Sequence, residues 1–365
     1  MDLTLTEDQE LIKSTAGELL ESRSDAAGAR AVAEDPAGYS AALWKEVTEL
    51  GWMGLGVPEA YGGLGSGFME VCLLIEEMGR HLVPSPFLST TGCCAPAIAA
   101  FGTEEQKREW LGAIARGRVV SPVLGRWDRA GADGVVAATS GEGAVLDGTA
   151  TFVPYAQAAH AYLVAAGDPS GGERTAYLVD ASAPGITVEP LTVIGPGRSY
   201  RVTFSGVTVP AGRALAAGAA PAMSAYGASA TCAEMVGGAQ RVLDISIEYA
   251  TQREQFGKPI GSFQAVQHHC ADMATDVLSS RFIAYEAIWR LSAGLDATAE
   301  VSMAKAWVSE AYERVCALGH QVHGAIGFTA EHDLHRYSAH ATAAALTFGD
   351  GDHHWDRVAD HLGLP

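Results

Sequence analysis

The sequence predicts an α+β chain in three parts: an all-helical domain over residues 1–118, an antiparallel β domain over 119–213 and a four-helix bundle over 214–365. Three observations carry this expectation. Apolar residues recur at helical spacing through the first third of the chain; short runs rich in Val, Thr and Tyr, punctuated by Gly, Pro and Asp, take over near residue 119; and long alanine-rich helical runs return after Arg213. With 365 residues, 48% apolar and 18% charged, the chain can build more than one core and is too apolar for wholesale disorder.

The first helix announces itself by Thr6 and Gln9, a capping box, followed by Leu11, Ile12, Ala16, Leu19 and Leu20. Further helical runs are "SAALWKEVTEL", "FMEVCLLIEEMGR" and "TEEQKREWLGAIARG", interrupted by the turn-forming "GVPEAYGGLGSG". In the middle, "VVSPVLG", "GVVAATS", "AYLVAAG", "TAYLVD", "GITVEPL" and "YRVTFSGVTVP" have the length of strands in an antiparallel sandwich or barrel. The last part holds three long helical runs whose small residues suit close helix packing.

Charge narrows the function classes. A net charge of −19 without clustered Lys or Arg argues against nucleic acid or an anionic membrane as partner. The N-terminus lacks a basic segment followed by an apolar core, and no run approaches a membrane span, so a cytoplasmic protein is expected. Six cysteines without CxxC spacing predict reduced thiols rather than disulfides or a thiolate zinc site.

Three stretches carry candidate chemistry. In "QREQFGKPIG", Gly257, Pro259 and Gly261 must interrupt a helix, leaving Arg253 at its end with Phe256 nearby. A guanidinium there can fork onto a diphosphate, or simply cap carbonyls at the helix end. "EHDLHRY" sets Glu331 and His335 four apart with His332 between them, a spacing read as a solvated helix face before a metal site. "TFGDGDHHW" offers Asp350, Asp352, His353 and His354 as metal ligands, but neighbouring histidines point apart and no scaffold fixes them, so no metal is expected. Gly-Asp-Gly favours a tight turn, with Asp352 capping the closing helix, which leaves Asp350 as either a proton acceptor or a structural residue.

"LGWMGLGVPEAYGGLG", "TQREQFGKPIGSFQAVQHHCADM" and "QVHGAIGFTAEHDLHRY" together resemble, in the same order, signature regions of the acyl-CoA dehydrogenase family. The resemblance spans nearly the whole chain. It implies an FAD flavoprotein that removes two hydrogens across the α and β carbons of an acyl-CoA thioester, passes electrons to an accepting flavoprotein, and works as a homo- or hetero-oligomer, a dimer or tetramer. It also implies that Arg253, Phe256 and Gln264 reach the cofactor of a neighbouring subunit, and that Gln321, Val322, Gly324 and Ala325 contact its adenosine half, Ala325 standing where a second glycine is usual. Asp350 falls at the position of the family's catalytic glutamate, with Asp352 beside the cofactor. Aspartate is one methylene shorter, a loss of roughly 1.5 Å of reach. The family's other base position falls on Gly227, followed by Ala228; neither accepts a proton, and Glu234 lies two helical turns away.

The middle domain departs from the family pattern. "VLGRWDRAGADG" and "DGTATFVPYA" stand where flavin-ring motifs are expected, hydroxyl donors are missing, Phe152 replaces a tryptophan, and Pro154 removes a backbone N–H. The sequence therefore supports two expectations: an acyl-CoA dehydrogenase, or a catalytically weak partner subunit that completes the flavin site of another chain.

Overall fold

The computed structural model describes residues 4–23, 32, 35, 37–125, 134–141, 143–168 and 172–364. The capping box forms as expected, Thr6 N–H donating to Gln9 Oε1 (3.0 Å) and Gln9 N–H to Thr6 Oγ1 (3.3 Å). It opens α1 (Glu7–Arg23), which buries Ala16 and Leu20 and leaves Leu11 exposed, one position off the apolar stripe. Then come α2 (Ala41–Glu49), capped by Ser40, and α3 (Phe68–Arg80). A π-helical stretch (Leu88–Cys94) leads into α4 (Ala95–Phe101), and α5 (Glu104–Gln106) continues through a second π-helical stretch into α6 (Gly112–Ala115).

Strands follow: β1 (Val120–Val123), β2 (Val135–Ser140), β3 (Gly143–Pro154), β4 (Ala161–Ala166), β5 (Thr175–Asp180), β6 (Ile186–Leu191) and β7 (Ser199–Pro210). They form a four-stranded antiparallel sheet in the order β2-β3-β7-β6 and a three-stranded sheet β1-β4-β5. An apolar layer from both sheets, including Leu146, Val164, Val202 and Phe204, lies between them. The β1–β4 ladder departs from the all-antiparallel expectation: β1 runs parallel to β4, Val120 opposite Ala161. Strand periodicity fixes which side chains face the core but says nothing about a partner's direction.

The C-terminal bundle comprises α7 (Ala219–Gln252), α8 (Gln264–Ser292), α9 (Thr298–His323) and α10 (Leu334–Leu346), closed by α11 (Gly351–His361). It shares one continuous core with the first helices. Glycines permit the closest crossing: a Cβ on Gly79 of α3 would lie 2.0 Å from Glu234 O of α7, and one on Gly237 would lie 1.8 Å from Glu76 O. This crossing packs the N-terminal helices on the face of α7 that continues toward Gly227 and Phe348.

Candidate active site

The turn between α10 and α11 answers what "TFGDGDHHW" is for locally. Phe348 (φ +59°) and Gly349 (φ +100°) both lie in left-handed backbone space, and Asp350 (φ −83°, ψ 179°) is the N-cap of α11, its Oδ1 accepting the His353 N–H at 2.9 Å. The cap is thus Asp350, not Asp352 as expected. Asp352 is exposed on the first turn of the helix, where its negative charge suits the helix dipole.

Two buried donors hold the turn. His354 Nε2 donates to Phe348 O (2.9 Å), and Lys305 Nζ donates to Ala345 O and Gly349 O (both 2.9 Å). Burial and the nearby Lys305 charge hold His354 neutral, its pKa pushed down to about 3. Trp355 Nε1 donates to Glu310 Oε1 (2.9 Å), tying α11 to α9.

The space beside Gly227 is not open. The buried ring of Phe348 fills it: a Cβ on Gly227 would sit 2.2 Å from Phe348 Cε1. Glu234 is engaged elsewhere. Its Oε2 lies 3.3 Å from His340 Nε2, whose Nδ1 is 3.2 Å from the Tyr312 hydroxyl, so the carboxylate belongs to a polar chain inside the bundle.

At the end of α7 the predicted break is a two-residue hairpin. Glu254–Gln255 and Lys258–Pro259 pair as β8 and β9, with Phe256 (φ +55°) and Gly257 (φ +76°) at the tip, both positive as a I′ turn requires. Arg253 is exposed, and among the described residues its guanidinium has no ion-pair or hydrogen-bond partner, so it does not cap carbonyls of its own helix. Phe256 is 92% exposed, and Gln264 is exposed at the start of α8.

Tyr249, one turn before Arg253, stacks on His323 (ring centroids 4.6 Å). That stack places the "QVHGA" segment at the same end of the bundle. There Gln321, Gly324 (φ +64°) and Ala325 are exposed, while Val322 is buried. Nothing lies within 4 Å of where a Gly324 Cβ would stand, so the backbone there is open to a ligand.

These residues and Asp350 do not come together within one chain. Lys305, which touches the Asp350 turn, and Gln321 are sixteen residues apart on α9, about 24 Å along the helix axis. Nor does "EHDLHRY" form the i, i+4 pair foreseen, because α10 begins only at Leu334; His332 Nδ1 instead accepts the Leu334 N–H (3.1 Å). Among the described residues no cluster of three or more His, Cys, Asp or Glu is placed to hold a metal ion. The six cysteines are free thiols, and among the described residues no helix is long and apolar enough to cross a membrane.

A cavity of about 660 Å³ opens between α2, the end of α3 and the second half of α7, lined by Tyr39, Arg241, Tyr249, His323 and Arg336 among others. A smaller one of about 250 Å³ touches Phe348, His353 and His354. Asp350 lines neither.

Two family models match the chain: "Acyl-CoA dehydrogenase, N-terminal domain" over residues 6–118 and "Acyl-CoA dehydrogenase, C-terminal domain" over residues 218–363. The acyl-CoA dehydrogenase FadE27 of Mycobacterium tuberculosis is 32% identical over 330 residues, which cover 88% of this chain and 87% of that one. The chain belongs to the acyl-CoA dehydrogenase family. It is an oxidoreductase acting on the CH–CH bond of acyl-CoA thioesters. Two solved structures are similar over the full length. One is the ChsE4–ChsE5 complex from Mycobacterium tuberculosis (TM-score 0.93, 30% identity, 100% of both chains); the other is butyryl-CoA dehydrogenase from Megasphaera elsdenii (TM-score 0.91, 26% identity, 99% of this chain and 100% of that one).

The middle-domain stretch "DGTATFVPYA", which departs from the acyl-CoA dehydrogenase pattern in residue type, carries a bulge in this chain. A register shift between Ala150 and Val153 puts Phe152 (φ +60°) on a bulge, 65% exposed, so its ring is aimed out of the sheet. Pro154 ends β3 without an N–H to donate. Tyr155 (φ +49°) turns inward and is buried edge-to-face against Tyr39, ring centroids 6.0 Å apart. Burial, with Glu234 nearby, pushes its hydroxyl far above the ordinary tyrosine range, so it stays protonated. Most of the other departing stretch, "VLGRWDRAGADG", lies outside the described residues.

Proposed function

We propose that this chain is a subunit of an FAD-dependent acyl-CoA dehydrogenase oligomer, in which Arg253, Phe256, Gln264 and the Gln321–Ala325 segment complete the nucleotide site of a neighbouring subunit. The observation that carries this reading is the exposed Arg253, without a partner among the described residues, set beside the open backbone at Gly324. An exposed cation next to peptide groups that a ligand can approach suits a diphosphate joined to an adenosine. Arg253 would hold the diphosphate, Gln264 and Gln321 would donate amide hydrogen bonds, and Asp352 would lie beside the cofactor of its own subunit. FAD, when bound, supplies the acceptor for the substrate's β hydride.

Asp350 is the residue assigned to take the α proton. Its Oδ1 is occupied by the His353 N–H, while Oδ2 has no partner among the described residues. The cap fixes the carboxylate without consuming both oxygens, and the lone pairs of Oδ2 remain available to accept a proton. Asp350→Asn is expected to abolish acyl-CoA-dependent flavin bleaching while bound flavin is retained; full bleaching would eliminate Asp350 as the base.

A second reading is favoured by the middle domain. Phe152 aimed outward, Pro154 and the buried Tyr155 leave a poor cradle for a flavin ring on this chain, so it would serve chiefly as the partner of a different subunit. The ChsE4–ChsE5 relative is itself a complex of two differently named chains. The visible spectrum of the purified chain separates the readings. A stoichiometric flavin band from the chain alone supports the self-sufficient enzyme; a colourless chain that gains flavin only with a co-expressed relative supports the mixed oligomer. In either assembly Arg253→Ala is expected to weaken FAD retention, and unchanged retention would undo the diphosphate assignment.

A further inference from the structure

Lys305 has no solvent exposure, and among the described residues its ammonium forms no ion pair. It reaches three oxygens: Ser309 Oγ (3.0 Å), Ala345 O (2.9 Å) and Gly349 O (2.9 Å). The Ser309 hydroxyl spends its own proton on Lys305 O (2.7 Å), so its oxygen can only accept from Nζ. Three acceptors therefore face three N–H bonds. A neutral amine has only two and would point a lone pair at a carbonyl, so this arrangement is built for the ammonium.

Two of those acceptors bracket the turn that carries Asp350. Ala345 O is among the last carbonyls of α10, where a cation is favoured, and Gly349 O directly precedes Asp350. The carbonyl between them on the strained stretch, Phe348 O, is held by His354 Nε2. A Cβ at position 349 would lie 2.6 Å from His353 Cδ2 and 2.8 Å from His354 Nε2, so the chain must pass there as glycine. Left-handed backbone at Phe348, a non-glycine residue, persists only where surrounding contacts over-determine it, and Lys305 with His354 supplies those contacts on the carbonyls of Phe348 and Gly349.

We infer that Lys305 is a positioning residue for the dehydrogenation: acting through Gly349 and Ala345, it fixes the turn that places the Asp350 carboxylate, and it does so only as an ammonium. The inference rests on Asp350 as the base. The titratable groups facing Lys305 are Cys232 from α7, Glu313 on its own helix, Asp350 from the turn, and His353 and His354 from α11. Burial holds Cys232 up at about 12 and His354 down at about 3, so neither changes charge between neutral and mildly alkaline pH. Burial lowers Lys305 to about 8, against the pull of Cys232, Asp350 and Glu313, so the ammonium is the group that titrates there.

The experiment uses the flavin-loaded oligomer and reads the turn directly. Amide hydrogen exchange of the peptide spanning 349–353, corrected for intrinsic base catalysis, is expected to lose protection about tenfold for each pH unit above the Lys305 pKa, while the middle of α9 does not change. A flat profile would overturn the inference, and this wild-type measurement decides even where a variant fails to fold. Lys305→Met is expected to show the loosened turn already at neutral pH, with flavin reduction by acyl-CoA slowed about a hundredfold, KM little changed and no further fall on the alkaline side. Native exchange, rate and pH profile in that variant would sink it. Asp350→Asn separates the two claims: if that variant still bleaches flavin, the base assignment fails, whereas the exchange data test Lys305 independently of activity.

Discussion

At the scale of single residues, Asp350 is a helix N-cap and the proposed base, two roles that substitutions can part. As an N-cap it contributes about 1 kcal/mol, which alanine removes and asparagine, an equally good cap, preserves. Asp350→Ala is therefore expected to lower unfolding free energy by about that much in urea titration and Asp350→Asn by almost nothing, while both lose activity. Equal stability of the two would contradict the cap. Phe348 is tested from the opposite side. Gly227→Ala drives a methyl into its ring and is expected to cost about 1–3 kcal/mol, a cost that shrinks when Phe348→Ala is added. Of this constellation, "TFGDGDHHW" disclosed an acid in a turn but not which aspartate caps, because that depends on the extended ψ of Asp350 rather than on residue type. Lys305 gave no signal, since one lysine in "SMAKAWVSE" reads as a solvated helix position until tertiary packing closes over it.

At the scale of elements, the helices are pinned by buried charge. Glu76 on α3 receives Lys13 from α1 at 2.7 Å, Arg281 from α8, and the Tyr285 hydroxyl. Burial alone would raise the pKa of Glu76, but the two cations and the hydrogen bonds more than offset it, and the folded-state pKa is lowered. The sign follows: its stabilisation is present above the unfolded carboxylate pKa and is lost as pH falls through the folded one. His354 acts in the same direction at higher pH. Its Nε2–H is used on Phe348 O and its Nδ1 is buried without a partner among the described residues, so protonation would bury an unsolvated charge.

With a folded pKa near 3 against an unfolded 6.5, stability due to His354 is complete above about pH 6.5 and declines by up to about 1.4 kcal/mol per pH unit below it. Thermal unfolding from pH 8 to 5 is expected to show this decline, and His354→Gln, which keeps a donor to Phe348 O without the titration, to flatten it. An equally steep decline in His354→Gln would assign it to other groups. Element existence and order were readable because the periodicity changes from helical to alternating and back. The parallel β1–β4 pair and the π-helical stretches were not, since local pattern carries no information on partner direction or on an extra residue in a helical turn.

At the scale of the whole molecule, one end of the bundle is left apolar where a lone chain should be polar. Phe256 is 92% exposed on its hairpin, and Phe328 (70%) and Ile326 (44%) follow the Gln321–Ala325 segment, which the Tyr249–His323 stack holds at that same end. Such side chains support a partner surface rather than this chain's own fold, and the hairpin tip is the element that reaches out. Phe256→Glu is therefore expected to leave the stability of the isolated chain within about 0.5 kcal/mol, because the ring covers almost nothing of its own subunit. Assembly and flavin content should both fall, the first by sedimentation or gel filtration and the second by absorbance. Measuring the flavin-free protein separates the two causes. If assembly falls without flavin, Phe256 packs on protein; if only the flavin-loaded form is weakened, it packs on the cofactor across the boundary; if size and flavin content both stay native, the intersubunit placement of this end of the bundle is wrong.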